Sequence, residues 1–370
     1  MKQLLTTRPW LALGAAFLSG ALVIGLVWVS VAGAQGGATS PGPTSTPGAS
    51  SAPTSAPSSA PTSTPTASAR PRTDARCARA TTEVASADEL TSALIDAAPG
   101  DLIVLAPGNY QGNFVASTSG TVDEPITLCG GSDSVLDGGD PMDGYVLHLD
   151  GAQYWNLLGF SVTNGQKGVM ADGTVGSTFR GLTVSTIGDE AIHLRRFSTD
   201  NLVLDNTVFD TGLRKPKFGE GVYIGTAESN WCKISGCLPD RSDRNTVTGN
   251  TFSQTTAEGV DVKEGTSNGI VSKNTFDGSS LREADSWVDV KGNGWVVDSN
   301  LGTNSLRDGF QTHEIIEGWG KDNIFRNNSA AVNGPGFGYS LTPELTNRVE
   351  CSNTATGAAE GVSNVACQTP

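Results

Sequence analysis

The sequence predicts an all-β protein wound as a single-stranded parallel β-helix, closed at one end by a capping helix. Two patterns carry this expectation: short strands followed by Asn-centred turns recur at a nearly fixed spacing, and only one segment has a clear helical period. Composition agrees. The chain has 46 Gly among 370 residues and a hydrophobic fraction of 37%, which suits many turns and a thin, evenly spread core better than a helical bundle.

The first 72 residues read as delivery and tethering. Lys2 and Arg8 precede an uncharged stretch from Trp10 to Ala34 that closes on Ala32-Gly33-Ala34, the small-residue spacing accepted by a signal peptidase. Residues 1–34 are therefore a signal peptide or, being long enough to span a bilayer, a membrane anchor. From Gly36 to Ala69 every residue is Gly, Ala, Ser, Thr or Pro. Residues 35–72 form a linker that cannot bury enough apolar surface to fold, and its prolines keep it extended, away from a membrane or cell wall. The third unit, residues 73–370, is the folded domain.

Ser86-Ala-Asp-Glu89 has the form of a capping box, and Leu90, Leu94 and Ala97 follow at helical spacing before Pro99-Gly100 ends the segment. This helix would cover the apolar end of the coil stack. After it, Asp101-Leu-Ile-Val-Leu-Ala-Pro-Gly-Asn-Tyr110 reads as a strand and turn. Asn206, Asn250, Asn274, Asn300, the Asn327-Asn328 pair and Asn353 then mark successive turns, the later ones 24, 26, 27 and 26 residues apart. Stacked Asn side chains can hydrogen-bond along such a column. The 44-residue gap from Asn206 to Asn250 accommodates a loop carrying Cys232 and Cys237. At about 25 residues per coil, the domain holds about ten to eleven coils.

The helix, the Pro-Gly-Asp-Leu-Ile-Val-Leu-Ala-Pro-Gly-Asn-Tyr segment and the Asn-Thr-x-Phe coils together resemble the pectate-lyase-like superfamily of exported right-handed parallel β-helix proteins. The resemblance covers nearly all of residues 77–370. It implies action on carbohydrate, and several lyases of that superfamily pair calcium carboxylates with a lysine or arginine base.

Six cysteines, Cys77, Cys129, Cys232, Cys237, Cys351 and Cys367, follow the leader, where disulfides persist. No C-x-x-C pair points to zinc. Cys232/Cys237 and Cys351/Cys367 read as local staples, leaving Cys77 for Cys129, although six cysteines permit 15 connectivities.

With 24 basic against 38 acidic residues the net charge is −14, and −18 on residues 73–370. A nucleic-acid partner is disfavoured; an acidic polymer would need a local basic patch or a bridging cation. The dense basic run is Leu213-Arg-Lys-Pro-Lys-Phe218, where Arg214, Lys215 and Lys217 would either clamp a polyanion or stand in solvent.

Aligning strands by their turns stacks Glu190–Arg195, Glu220–Gly225, Glu258–Lys263, Ser286–Lys291, Asp308–His313 and Gly336–Leu341. Alternation sends the third and fifth positions inward and the fourth and sixth outward. The outward columns read His193, Tyr223, Asp261, Asp289, Gln311 and Arg195, Gly225, Lys263, Lys291, His313. An ion-pair ladder of little energetic weight produces the same pattern. The functional expectation is that adjacent ammoniums depress a lysine pKa, so that Lys263 serves as base and Lys291 tunes it. His313 and Arg195 would bind substrate or donate protons, with His193, Tyr223 and Gln311 also contacting it. Glu258, Asp261, Asp285 and Asp289 would offer hard oxygen ligands to Ca²⁺. The acids Glu190, Glu220, Glu258 and Asp308 at strand starts read mainly as acceptors for turn amides.

These parts suit Ca²⁺-assisted β-elimination on a uronic-acid polysaccharide, pectate- or alginate-like, by a secreted monomer. A non-catalytic cell-surface binding protein and a C5-epimerase remain as alternatives. A glycoside hydrolase fits less well, because the Asp-Asp pair and Gly-His-Gly turn of superfamily polygalacturonases are missing. Trp231, Trp287, Trp295 and Trp319 are candidate sugar-stacking residues.

Overall fold

A computed structural model describes Cys77 and residues 79–369. The expected leader, anchor and linker lie outside the described residues. Three parallel sheets of 11, 10 and 10 strands run the length of the domain, and each coil contributes one strand to each sheet in turn. The chain is thus a β-solenoid of about ten coils, as its turn spacing implies.

The helix forms where its capping box predicts, over Ala87–Asp96. The Glu89 amide donates to Ser86 Oγ at 3.2 Å and the Ala85 amide to Glu89 Oε2 at 2.7 Å. Leu90 and Leu94 are buried against the first coils.

Between the first and second strands of most coils, a left-handed residue turns the chain and a buried Asn follows. Asp205, Gly249, Lys273, Ser299 and Asn327 all have positive φ, and Asn206, Asn250, Asn274, Asn300 and Asn328 come next. From Asn250 onward each Asn accepts from the Asn one coil earlier, while Asn206 accepts from the Leu182 amide. Asn250 Nδ2 and its amide both donate to Asn274 Oδ1 at 2.9 Å, and Asn274 does the same to Asn300. The Nδ2 groups also satisfy carbonyls such as Val203 and Val247. Backbone polar groups that the solenoid buries at this corner are paired as a result, which avoids about 1–3 kcal/mol for each group left bare.

Inside, one Phe column stacks Phe252 on Phe276 at 5.1 Å and then gives way to Gly302. A Cβ at Gly302 would stand 2.2 Å from the Trp287 ring, so the missing side chain makes room for that indole. Trp287 and Trp295 are both fully buried, which removes them from the expected sugar-stacking residues. Three disulfides form, Cys77–Cys129, Cys232–Cys237 and Cys351–Cys367, matching the pairing by proximity in sequence.

The outward alignment holds from His193 to Gln311: His193, Tyr223, Asp261, Asp289 and Gln311 are consecutive partners in one sheet. It fails at the last segment. Phe310 pairs with Tyr339 rather than with Gly338, after a register shift between Ala331 and Gly334 on the preceding strand.

Candidate functional site

The outward face of this sheet carries the charged columns, and one coil raises walls around it. The strand Val222–Ile224 is preceded by residues 210–221, which hold the basic run, and followed by residues 225–245, which hold Cys232–Cys237. Between them lies a cavity of about 240 Å³ lined by Lys167, Glu190, His193, Arg195, Arg214, Phe218, Tyr223 and Lys233, among others.

Most of its cations are held by carboxylates. Lys167 pairs with Glu190, and Arg214 grips Asp189, with Nε at 3.0 Å from Oδ1. Arg195 donates to both Asp172 oxygens, at 2.7 and 3.2 Å, and His148 Nε2 meets the same carboxylate at 2.9 Å. Burial would raise the Asp172 pKa, but these two partners outweigh it and hold the carboxyl well below its usual range.

His193 lies behind Tyr223, ring to ring at 4.5 Å and edge-on. Its Nε2–H donates to the Gly225 carbonyl at 3.0 Å, which fixes the tautomer and leaves Nδ1 as a buried acceptor without a hydrogen-bond partner. Burial, with Lys167 and Arg195 nearby, pushes its pKa well below that of an ordinary imidazole. It is neutral. The Tyr223 phenol is pushed upward, first by burial and then by Asp261 and Glu220.

Beyond Tyr223 the ion pairs alternate along the trough. Lys263 Nζ lies 2.6 Å from Asp261 Oδ2 and 4.9 Å from the centre of the Tyr223 ring. Lys291 Nζ lies 2.7 Å from Asp261 Oδ1 and 2.7 Å from Asp289 Oδ2, and His313 Nδ1 is 2.9 Å from Asp289 Oδ1. This ladder corrects the expected depressed lysine. Burial alone would lower both ammoniums, yet Asp261 outweighs it for each and raises their pKa values. The carboxylate between the lysines cancels the repulsion that was to release a proton. His313 is likewise raised, chiefly by its hydrogen bond to Asp289.

The four acids expected to bind a metal are not assembled as one set. Asp289 is committed to Lys291 and His313, and Asp285 is exposed. Glu258 and Asp261 instead come together with Glu220, with one oxygen from each lying within 4.8 Å of the others. Glu220 is 3% exposed and its Oε2 has no hydrogen-bond partner. Burial and the neighbouring acids push Glu220 well up, and burial with Asp261 pushes Glu258 up to about 7. Asp308 does accept a turn amide, from Phe337 at 2.5 Å, and Gln311 Nε2 donates to its other oxygen.

Lys215 and Lys217 point to the Phe218 ring, 5.7 and 4.8 Å from its centre, and Phe218 rather than either lysine lines the cavity. Trp319 lies near Arg241, 5.9 Å from ring centre to guanidinium. Lys167, Glu220 and Lys233 were not among the residues expected to bind or react. Extending the alignment one coil back would have found Lys167, since Lys167-Gly-Val matches Glu220-Gly-Val and Glu258-Gly-Val. No periodic signal marks Lys233, which sits inside the long insertion.

Among solved structures, the chain is similar to an alginate lyase from Paenibacillus sp. str. FPU-7, with 33% identity over 77% of this chain and 99% of that one and a TM-score of 0.72. It is also similar in fold to the pectate lyase Pel9A, with 15% identity over 76% and 78% of the two chains and a TM-score of 0.53. No family model and no curated protein matches it.

Proposed function

The chain belongs to the pectate-lyase-like superfamily of parallel β-helix proteins, and from that premise we propose that it is a polysaccharide lyase acting on alginate. The observation that carries this reading is the cavity at Tyr223. In a domain of net charge −18, it gathers Lys167, Arg195, Arg214 and Lys233 against three carboxylates, Glu190, Asp172 and Asp189, with neutral His193 and a phenol among its lining. A local cationic cluster in an acidic domain is a place for a sugar carboxylate.

β-Elimination asks three things of the protein: neutralise the uronate carboxylate, remove the C5 proton and protonate O4 as it departs. Tyr223 and Lys263 are adjacent proton carriers. In the proposed reaction Tyr223 gives its proton to solvent and reacts as the phenolate, with the charged Lys263 ammonium 4.9 Å from its ring centre favouring that form and His193, packed edge-on against the ring, holding it in place. The phenolate takes the C5 proton while the C4–O4 bond breaks and a C4–C5 double bond forms. Lys263, kept charged by Asp261, stabilises the phenolate and supplies the proton for O4. Lys263 is thus assigned the acid's part rather than the base's. Arg195 and Arg214 orient substrate without leaving their carboxylate partners.

Calcium fits part of this site. Glu220 and Glu258 would hold it, with a smaller share from Asp261, whose oxygens already meet two ammoniums. When bound, the ion would add positive charge against the substrate carboxylate. We place the protein outside the cell, as its three disulfides suit an oxidising compartment.

The test is incubation with alginate, pectate and glycosaminoglycans, with calcium or chelator, following the ultraviolet absorbance of the unsaturated product. Rising absorbance with alginate is expected. Absence of product from every polymer would end the lyase reading.

A further inference from the structure

Three of the cavity's cations are already committed: Lys167 to Glu190, Arg195 to Asp172 and Arg214 to Asp189. Lys233 is different. Among the described residues it makes no hydrogen bond, ion pair or ring contact, although it lines the same cavity.

An exposed lysine is ordinarily a solvated side chain, so the backbone beneath it decides the matter. Lys233 stands on the single helical turn Trp231–Ile234, and that turn is fixed from several sides. Trp231 is buried and its indole donates to the Thr226 carbonyl at 2.8 Å. Cys232 and Cys237 close the loop on either side. The Glu228 amide donates to Glu264, a buried acid one coil on, at 2.6 Å. Asp240, fully buried, accepts from the Arg196 and Phe197 amides and from Thr226 Oγ1, which ties the end of the insertion to the coil before it. The solenoid therefore holds a rigid platform whose one long cationic side chain has no internal partner.

We propose that Lys233 is the specificity-determining cation that recognises a uronate carboxylate of the bound polymer. This rests on the lyase reading and deepens it. The paired arginines present charge already offset by carboxylates, whereas an unpaired ammonium gains its first ionic partner when substrate arrives. A neutral polysaccharide offers it none.

The experiment compares full-length wild type with Lys233→Met, which keeps the length and removes the charge, and Lys233→Arg, which keeps the charge. Initial rates on alginate should show KM raised about tenfold in the Met variant, the size of one charge-assisted contact, with kcat within about twofold and Arg restoring most of the loss. The dependence of KM on salt should weaken in the Met variant. Binding of a mannuronate tetramer is titrated in parallel, in an inactive Lys263→Met background with and without Lys233→Met, and should weaken by a similar factor. KM and tetramer affinity unchanged by loss of the charge would overturn the assignment. Wild type that binds the tetramer but cleaves no polymer would instead sink the lyase reading, and the titration would still decide the role of Lys233.

Discussion

The Lys291 ammonium reaches back one coil to Asp261 and lies 2.7 Å from its Oδ1, while Lys263 holds the other oxygen at 2.6 Å. Asp261 is 1% exposed. One buried carboxylate thus bridges two ammoniums, with Asp289 sharing Lys291, and the trough depends on it more than on either lysine.

Replacing Asp261 by Ala is expected to destabilise the domain by about 3 kcal/mol, because Lys263 loses its carboxylate and Lys291 keeps only Asp289. Lys291→Met should cost less, since Asp261 retains Lys263 and Asp289 retains His313. Urea midpoints of the two variants check the order. A Lys291 variant weaker than the Asp261 variant would contradict the account.

Tyr223→Phe and Lys263→Met should each lower kcat on alginate by roughly 10²–10⁴, the range for a lost proton-transfer group, with melting temperature little changed for Tyr223→Phe. Full activity in Tyr223→Phe would move proton abstraction to another residue.

The Asn ladder predicts a sharp contrast between neighbours. Asn274→Ala leaves the Asn250 amide, Asn250 Nδ2 and the Val247 carbonyl short of partners and should cost about 3 kcal/mol. Asn327→Gly, beside the ladder residue Asn328, suits the left-handed backbone there, removes only an exposed bond to Asp298 and should cost within about 0.5 kcal/mol. Chemical denaturation measures both.

Glu258 gives a pH dependence. Its carboxyl titrates near 4.5 when exposed and at about 7 in the folded protein. Between those values the native state binds more protons than the unfolded one, so this group's contribution to stability falls as pH rises, by at most roughly 1.4 kcal/mol per pH unit. Relative to Glu258→Gln, wild type should lose melting temperature from pH 4.5 to 7. If Glu220 and Glu258 hold calcium, adding it at pH 7.5 restores the wild type and does little for Glu258→Gln. Parallel pH profiles for the two proteins would refute the shift.

Much of this architecture was legible because coil packing imposes a period. Asn206 through Asn353 mark the same corner, and Val-Asp-Val-Lys occurs twice at one coil's separation, so the pairing of Asp261 with Asp289 follows from sequence. The last coil misled because matching Gly336 to the strand-start acids turns Gly338 and Ser340 inward, whereas the apolar phase of Phe337, Tyr339 and Leu341 is the one that faces the core at Tyr339 and Leu341, where the Tyr339 hydroxyl donates to the Asn328 and Thr354 carbonyls. The charge state of Lys263 was not legible, since it depends on which way Lys291 bends. Lys233 was hidden for a different reason: a long insertion has no register with the coils, so its residues cannot be placed by counting.

The disulfides near the two ends of the coil stack bear on how it resists unravelling. A linear stack unravels from its outermost turns, where each rung has a neighbour on one side alone. Cys77–Cys129 fastens the leading segment to an early strand, and Cys351–Cys367 ties the final turn to the tail. Peeling of the outermost coils is thereby opposed at both ends of the stack, and its durability comes from two clasps rather than from a thicker interior.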